Sequence, residues 1–252
     1  MESEVLVPRA APTYAPAAAE DLLAGSQLLH RAFMKVLSLS ARRDDIVIRG
    51  DTADQPAILI ERGVAYRSLT LPDGRRSIVD LLLPRDIVGL DHAVMGASGY
   101  EIIAASNMGY RLLKQARVRE LLRDPRIATR ALALSAEERW RADRHLTEIT
   151  RFDARGRLAA MILGVYERMR RRGLIARSTF NLPLTQDQIA DHLGITMVHV
   201  SRTLRRMREE KIVLVDRQVV IILDLDRLRQ EAAGVPSLPV LEPAEIERPP
   251  AS

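Results

Sequence analysis

Between residues 184 and 211 the chain reads LTQDQIADHLGITMVHVSRTLRRMREEK, and its chemistry-bearing side chains are donors and cations rather than nucleophiles. Thr185 followed three residues later by Gln188 has the spacing of a capping box, a hydroxyl and a side-chain amide that reciprocally satisfy the free N–H groups opening a helix. The helix predicted from there buries Ile189 and Leu193, carries the small Ala190 where a second helix can cross, and stops at Gly194, which tolerates a left-handed C-cap. Thr196 then caps a second helix, whose Val200, Leu204 and Met207 fall at i, i+4, i+7 and face the first. Its opposite face shows Met197, Val198, Ser201, Arg202 and Arg205, with His199 in the same opening turn. Such side chains suit a phosphate backbone and base edges. The pattern is a helix-turn-helix. Any two amphipathic helices joined at a glycine share this spacing. The cationic outer face favours DNA, and so does the following IVLVDRQVVIIL, two short β runs around a polar turn at Asp216, Arg217 and Gln218 that read as a hairpin wing.

The rest of the chain must position that unit. At 252 residues and 47% hydrophobic content, it is long enough for two modest cores. The formal net charge is only +5, but residues 151–211 hold 13 Arg plus Lys against 6 Asp plus Glu, which supports a polyanionic partner. The absence of cysteine excludes disulfides, thiolate metal sites and cysteine nucleophiles. His30, His92, His145, His192 and His199 show no H-x-x-H or H-x₃-H pairing, so no metal ligand is named, and His92 reads as a turn residue. No nucleophile–base set or phosphate loop stands out; neither an enzyme nor a cofactor is expected. No run approaches a membrane span and no signal peptide precedes the chain, so the expected location is cytoplasmic.

Taken in order, the fold class expected is α+β. Residues 1–24, rich in Ala and Pro, read as a disordered arm. Residues 25–124 open with helical spacing as far as Leu39 and continue as short β runs at 46–48, 57–60, 64–71, 77–83, 87–88, 101–105 and 110–113, an antiparallel β-roll or jelly roll. Residues 125–151 form a long helix with the stripe Ala128, Leu132, Ser135, Arg139, Ala142, Leu146, Ile149, the spacing of a two-helix seam. Residues 152–233 form a winged helix-turn-helix domain. Its first helix ends in Arg168, Arg170, Arg171 and Arg172, which either contact phosphates or complement the helix dipole. Residues 234–252, with five prolines, read as a disordered tail.

The stretch from Leu184 resembles the C-terminal domain of the Crp/Fnr family of bacterial transcription regulators. The family pattern LTxxxIAxxLGxTxxxVSRxLxxLxxxG is met by Leu184, Thr185, Ile189, Ala190, Leu193, Gly194, Thr196, Val200, Ser201, Arg202 and Leu204. The likeness runs from about residue 30 to residue 228. LIERGVAYRSLTLPDGRRSIVDLLLPRDIVGL resembles the family's cyclic-nucleotide-binding-type roll, with Pro84-Arg85-Asp86 where the family usually writes Pro-Gly-Asp. The resemblance implies a homodimer joined by the long helix, bound to double-stranded DNA at an inverted repeat, with RNA polymerase a further candidate partner. It places Arg202 on guanine O6 and N7 beside Ser201, and Thr185, Gln186 and Thr196 on phosphates, with Arg217 in the wing as another DNA-binding candidate.

The departures bear on the signal. Nucleotide-binding members have a Gly-Glu pair and, about ten residues on, an arginine for the cyclic phosphate. Here no arginine stands between Arg85 and Arg111, the glutamate is missing, and Asp91 would repel a phosphate. The roll is therefore expected to sense an unidentified signal or none; a cyclic-nucleotide-responsive regulator is the alternative and a haem-based gas sensor a more distant one. The cysteines of iron–sulfur members are absent. Val198 stands where many members carry a glutamate that accepts from cytosine; valine offers only apolar contact, for instance to a thymine methyl.

Overall fold

The computed structural model describes residues 19–96 and 98–232; the expected arm over 1–18 and the tail over 234–252 lie outside the described residues. Helix α1 (Ala19–Met34) begins inside the stretch read as a disordered arm. Glu20 and Asp21 sit at its positive end and Leu22 is buried, so the ordered chain starts earlier than residue 25. At Gly25 this helix crosses the start of the long helix so closely that a Cβ would stand 2.2 Å from the Arg126 carbonyl oxygen.

The β-roll comprises β1 (Leu39–Ala41), β2 (Ile46–Ile48), β3 (Ala57–Arg62), β4 (Ala65–Thr70), β5 (Arg76–Leu82), β6 (Ile87–Val88), β7 (Glu101–Ala104) and β8 (Met108–Leu113), with a short helix α2 (His92–Met95) between β6 and β7. Its two antiparallel sheets have the orders β1-β8-β3-β6 and β2-β7-β4-β5. Ile58, Ile60, Ala65, Leu82, Ile102 and Met108 pack between them. Each sheet is covered on its outer face as well. Leu29 and Phe33 of α1, with Ile127, lie against Ala57, Leu59 and Leu113 of the first sheet, while Tyr66, Ile78 and Leu81 of the second share a core with the C-terminal domain. Burial on both sides explains why runs such as AILI and LLL do not alternate with polar residues. β1 begins at Leu39, where the helical spacing was read to end, and Ser40 and Ala41 fall in a stretch given no element; His92, expected in a turn, opens α2 and is buried.

After α3 (Gln115–Leu121) comes the long helix α4 (Pro125–Arg151), capped by the Asp124 side chain on the Arg126 N–H. The C-terminal domain follows as α5 (Ala154–Arg171), β9 (Thr179–Asn181), α6 (Gln186–Leu193), α7 (Met197–Glu209), β10 (Val213–Asp216), β11 (Val219–Ile222) and α8 (Leu225–Glu231). The wing has three strands, in the order β10-β11-β9; the short β9 carries no periodicity of its own and was not visible in the sequence. The β10–β11 turn holds Arg217 and Gln218 at φ 44° and 72°, the left-handed pair that matches strand twist in a hairpin.

Two buried carboxylates fasten these parts together. Leu83-Pro84-Arg85-Asp86 is a turn closed by Asp86 N–H to the Leu83 carbonyl at 3.0 Å, with Arg85 at φ 73°, a conformation that favours glycine. Arg85 holds it while donating to the Arg172 carbonyl at 2.7 Å. Asp86 accepts from the Leu83 N–H at 2.7 Å, from Arg168 at 2.5 Å and from Arg172 at 2.7 Å. Arg168 also donates to the Leu81 carbonyl, and Arg172 to that of Pro84. Neither arginine therefore serves phosphate or merely complements the dipole: both lock α5 onto the roll. Arg170 and Arg171 remain exposed.

Asp80 on β5 likewise takes Arg67 of β4 at 3.2 Å and Arg141 of α4 at 2.9 Å. Burial opposes ionisation of Asp80, but Arg141 and Arg67 outweigh it and hold the carboxyl at about 2. Burial of Asp86 is overcome in the same way by Arg168 and Arg172, which keep it well below the usual carboxylate range. Asp86→Asn leaves Arg168 and Arg172 buried without their counter-charge. It is expected to cost about 3–5 kcal/mol, read as a lower urea midpoint of unfolding followed at Trp140.

Candidate nucleic-acid interface

The expected capping box is present: Gln188 N–H donates to Thr185 Oγ1 at 3.1 Å and Thr185 N–H to Gln188 Oε1 at 2.9 Å. α6 ends at Gly194 in the left-handed region, φ 62°. Thr196 Oγ1 then accepts the His199 N–H at 3.4 Å and lies 2.8 Å from His199 Nδ1, so its hydroxyl serves the start of α7. Val200, Thr203 and Met207 are buried against α6 and the domain core, whereas Leu204 is only half-buried.

The other face of α7 is open. Met197, Val198, His199, Ser201, Arg202 and Arg205 are all exposed, as are Thr185 and Gln186 at the start of α6, Thr196 before α7 and Arg217 at the wing tip. Two of these, Met197 and Val198, are apolar and more than half exposed, at 51% and 61%. The arginines differ. Arg202 makes no hydrogen bond or ion pair among the described residues, while Arg205 donates to Glu209 at 2.8 Å one turn along. A base edge can therefore engage Arg202 directly, and a phosphate must draw Arg205 from its partner.

Several residues that hold this unit left no trace in the sequence. Arg157 donates to the carbonyls of Phe152 at 2.9 Å and Leu193 at 3.0 Å, tying the chain before α5 to the end of α6. Arg155 bonds Glu210 and Glu231, joining the ends of α7 and α8; these hydrogen bonds hold the guanidinium well above its ordinary value. α6 rests on the roll through Arg76, which donates to Asp191 at 2.6 and 2.9 Å and lies over Tyr66, and through His192, whose Nδ1 is 2.9 Å from the Ile78 carbonyl oxygen. Apart from Arg157 on Phe152 and Arg76 over Tyr66, these partners are separated by 36 to 115 residues along the chain, beyond any local spacing rule.

On the sensor side, an arginine from elsewhere in the fold does approach the loop that would cradle a phosphate. Arg67 lies over the Tyr100 ring at 5.8 Å, but it is paired with Asp80 and with Glu138 of α4. The fully buried Gln55 donates to the Arg49 and Gly50 carbonyls and accepts from Ser98 N–H at 3.1 Å and Oγ at 2.8 Å, tying that loop to the roll with the protein's own side chain. These residues do not fit a cyclic phosphate.

Residues 156–231 match the Crp-like helix-turn-helix domain. The nitrogen fixation regulation protein FixK of Bradyrhizobium diazoefficiens is 32% identical over 177 residues, covering 68% of this chain and 72% of that protein. The transcriptional activatory protein AadR of Rhodopseudomonas palustris is 31% identical over 194 residues, covering 73% and 76%. The solved structure of FixK2 from Bradyrhizobium japonicum superposes with a TM-score of 0.71 at 24% identity, over 80% of this chain and 99% of that one, and so shares the fold. On the strength of these relatives and of a helix-turn-helix with its reading face exposed, the chain belongs to the Crp/Fnr family of transcription regulators and is a DNA-binding protein, not an enzyme.

Proposed function

We propose that the protein acts as a homodimer in the cytoplasm, reading an inverted-repeat operator with one α7 in the major groove of each half-site. The observation that carries this reading is the division of α7: one face is sealed in the domain core while Ser201, Arg202 and their neighbours stand exposed with Arg202 uncommitted. Arg202 takes guanine O6 and N7. Ser201, Met197, Val198 and His199 line the base edges, and Thr185, Gln186, Thr196, Arg205 and the wing's Arg217 meet the backbone. Both threonine hydroxyls accept a cap N–H, but Thr196 Oγ1 also lies 2.8 Å from His199 Nδ1, so its phosphate contact is weaker than that of Thr185.

The two-fold assembly rests on α4. Its 27 residues span about 40 Å. Leu132 and Leu146, two heptads apart on one stripe, are 72% and 61% exposed, while Glu138 and Arg141 on another face pair with Arg67 and Asp80 of the roll. A stripe that exposes Leu132 and Leu146, interrupted by Ser135 and Arg139, has the spacing to fit a second copy of the same helix. AadR is a transcriptional activatory protein, and RNA polymerase is the further partner expected of an activator once the operator is bound.

Selection from random duplexes is expected to enrich an inverted repeat with half-site centres about 34–36 Å apart. Arg202→Ala should cost about 1–3 kcal/mol at the enriched site while salt-dependent binding to random DNA persists; unchanged preference would remove Arg202 from base reading. Val198→Glu should move the half-site preference toward a cytosine at the contacted pair, whereas wild type selects against it. The double variant Leu132→Glu, Leu146→Glu should sediment as a monomer and lose operator affinity; a dimer of unchanged stability would place the interface elsewhere.

A further inference from the structure

We propose that His192 is a positioning residue: stacked on His145, it forms a latch between the long helix, the roll and the DNA-binding domain that holds α6 in place only while the His192 ring is uncharged, so that acidification weakens operator binding. The latch rests on the operator-reading function proposed above. His145 on α4 and His192 on α6 are 47 positions apart in the sequence. The structure stacks their rings at 4.2 Å between centroids and 6° between planes. His192 Nδ1 lies 2.9 Å from the Ile78 carbonyl oxygen of β5, and because a carbonyl only accepts, Nδ1 carries the proton and the neutral ring is complete without a second. One imidazole thus touches all three parts of the molecule.

The surroundings offer a second proton little. From α4, Glu148 accepts from Arg144 at 2.7 Å and has His145 Nδ1 at 4.0 Å. From β5, Asp80 is taken up by Arg67 and Arg141. On α6 itself, Asp191 is bound by Arg76. From α5, Glu167, Arg168 and Arg171 line the same cleft, and Arg168 is held by Asp86. A charged His192 would therefore face His145 across 4.2 Å in a buried setting with the nearby carboxylates of α4 and β5 already engaged.

Burial first, then the facing His145, lowers His192 from the ordinary 6.5 to about 4, against the pull of the Ile78 carbonyl, Asp80 and Glu148. The sign follows. A group whose docked value lies below its undocked value favours docking fully above the undocked value and loses that contribution as pH falls through it. Between pH 6.5 and 4 each unit of acidification shifts the docking equilibrium toward release by about tenfold per protomer.

The test uses the full chain and the duplex selected at pH 7.5. Trp140, the only tryptophan, lines this cleft and reports docking without DNA. From pH 7.5 to 5.5 wild-type operator affinity should fall by up to about tenfold per protomer, with the Trp140 emission changing over the same range. His192→Asn keeps an amide N–H for the Ile78 carbonyl but cannot be charged, and should flatten both profiles. His145→Phe keeps a flat ring and removes the facing imidazole, and should shrink both changes. Constant or rising wild-type affinity with a flat Trp140 signal overturns the latch, as does a His192→Asn profile that follows wild type. Should His192→Asn not fold, the wild-type and His145→Phe titrations decide. If no duplex is selected at any pH, the operator-reading function fails instead, and the Trp140 titration still judges the latch.

Discussion

Asp86 has no counter-charge within its own sheet, and much of the architecture follows from that. A carboxylate taken out of water costs several kcal/mol unless cations and donors surround it. The turn that carries Asp86 supplies only the Leu83 N–H, and the two guanidinium groups come from the last turn and C-cap of α5. Moving the DNA-binding domain off the roll therefore breaks both of these ion pairs at once. Asp80 repeats the arrangement toward α4 through Arg141. Three parts of the chain, roll, long helix and reading domain, are joined by two aspartates.

The apolar packing agrees with those ion pairs. Tyr66, Ile78 and Leu81 of the second sheet belong to the same core as Leu158, Ile162 and Tyr166 of α5 and Ile189 of α6. A sheet with one face turned to solvent would alternate; this one does not, because a second domain covers it. Since α6 is the helix that rests on the sheet, α7 is directed away from it, and its cationic face stays open. The ion pairs and the core set where the reading helix points, while the residues of α7 set what it reads. Arg67, paired with Glu138, lies over Tyr100, and Gln55 ties Ser98 to Arg49 and Gly50, so the loop before β7 is held by the protein's own side chains.

The helix-turn-helix that carries the candidate site was legible in the sequence, because its determinants are local. Thr185 and Gln188, Gly194, and Thr196 with His199 act over three or four residues, the range in which a helix start or stop is decided. The strand runs of the roll were likewise visible, with boundaries moved by one or two residues. β1 (LSA) and β9 (TFN) were missed because they lack the unbroken Ile and Val by which the equally short β2 (IVI) and β6 (IV) were read, and they are strands only through pairing with β8 and β11. α1 was placed too late: its first turn is poor in apolar residues and is held by crossing α4 at Gly25.

The sequence by itself determined the helix-turn-helix, its caps, the exposed arginines of α7, the break at Asp124-Pro125 and the left-over stripe on the long helix, all properties of spacing within a few residues. It left open whether Arg168 and Arg172 serve phosphate or dipole, and it treated His145 and His192 as unrelated. Only the tertiary structure decided these, seating both arginines on Asp86 and stacking the two imidazoles. The physical reason is that a buried charge or ring takes its partner from whatever the fold packs against it. Where that partner lies tens of residues away, no local periodicity encodes the choice.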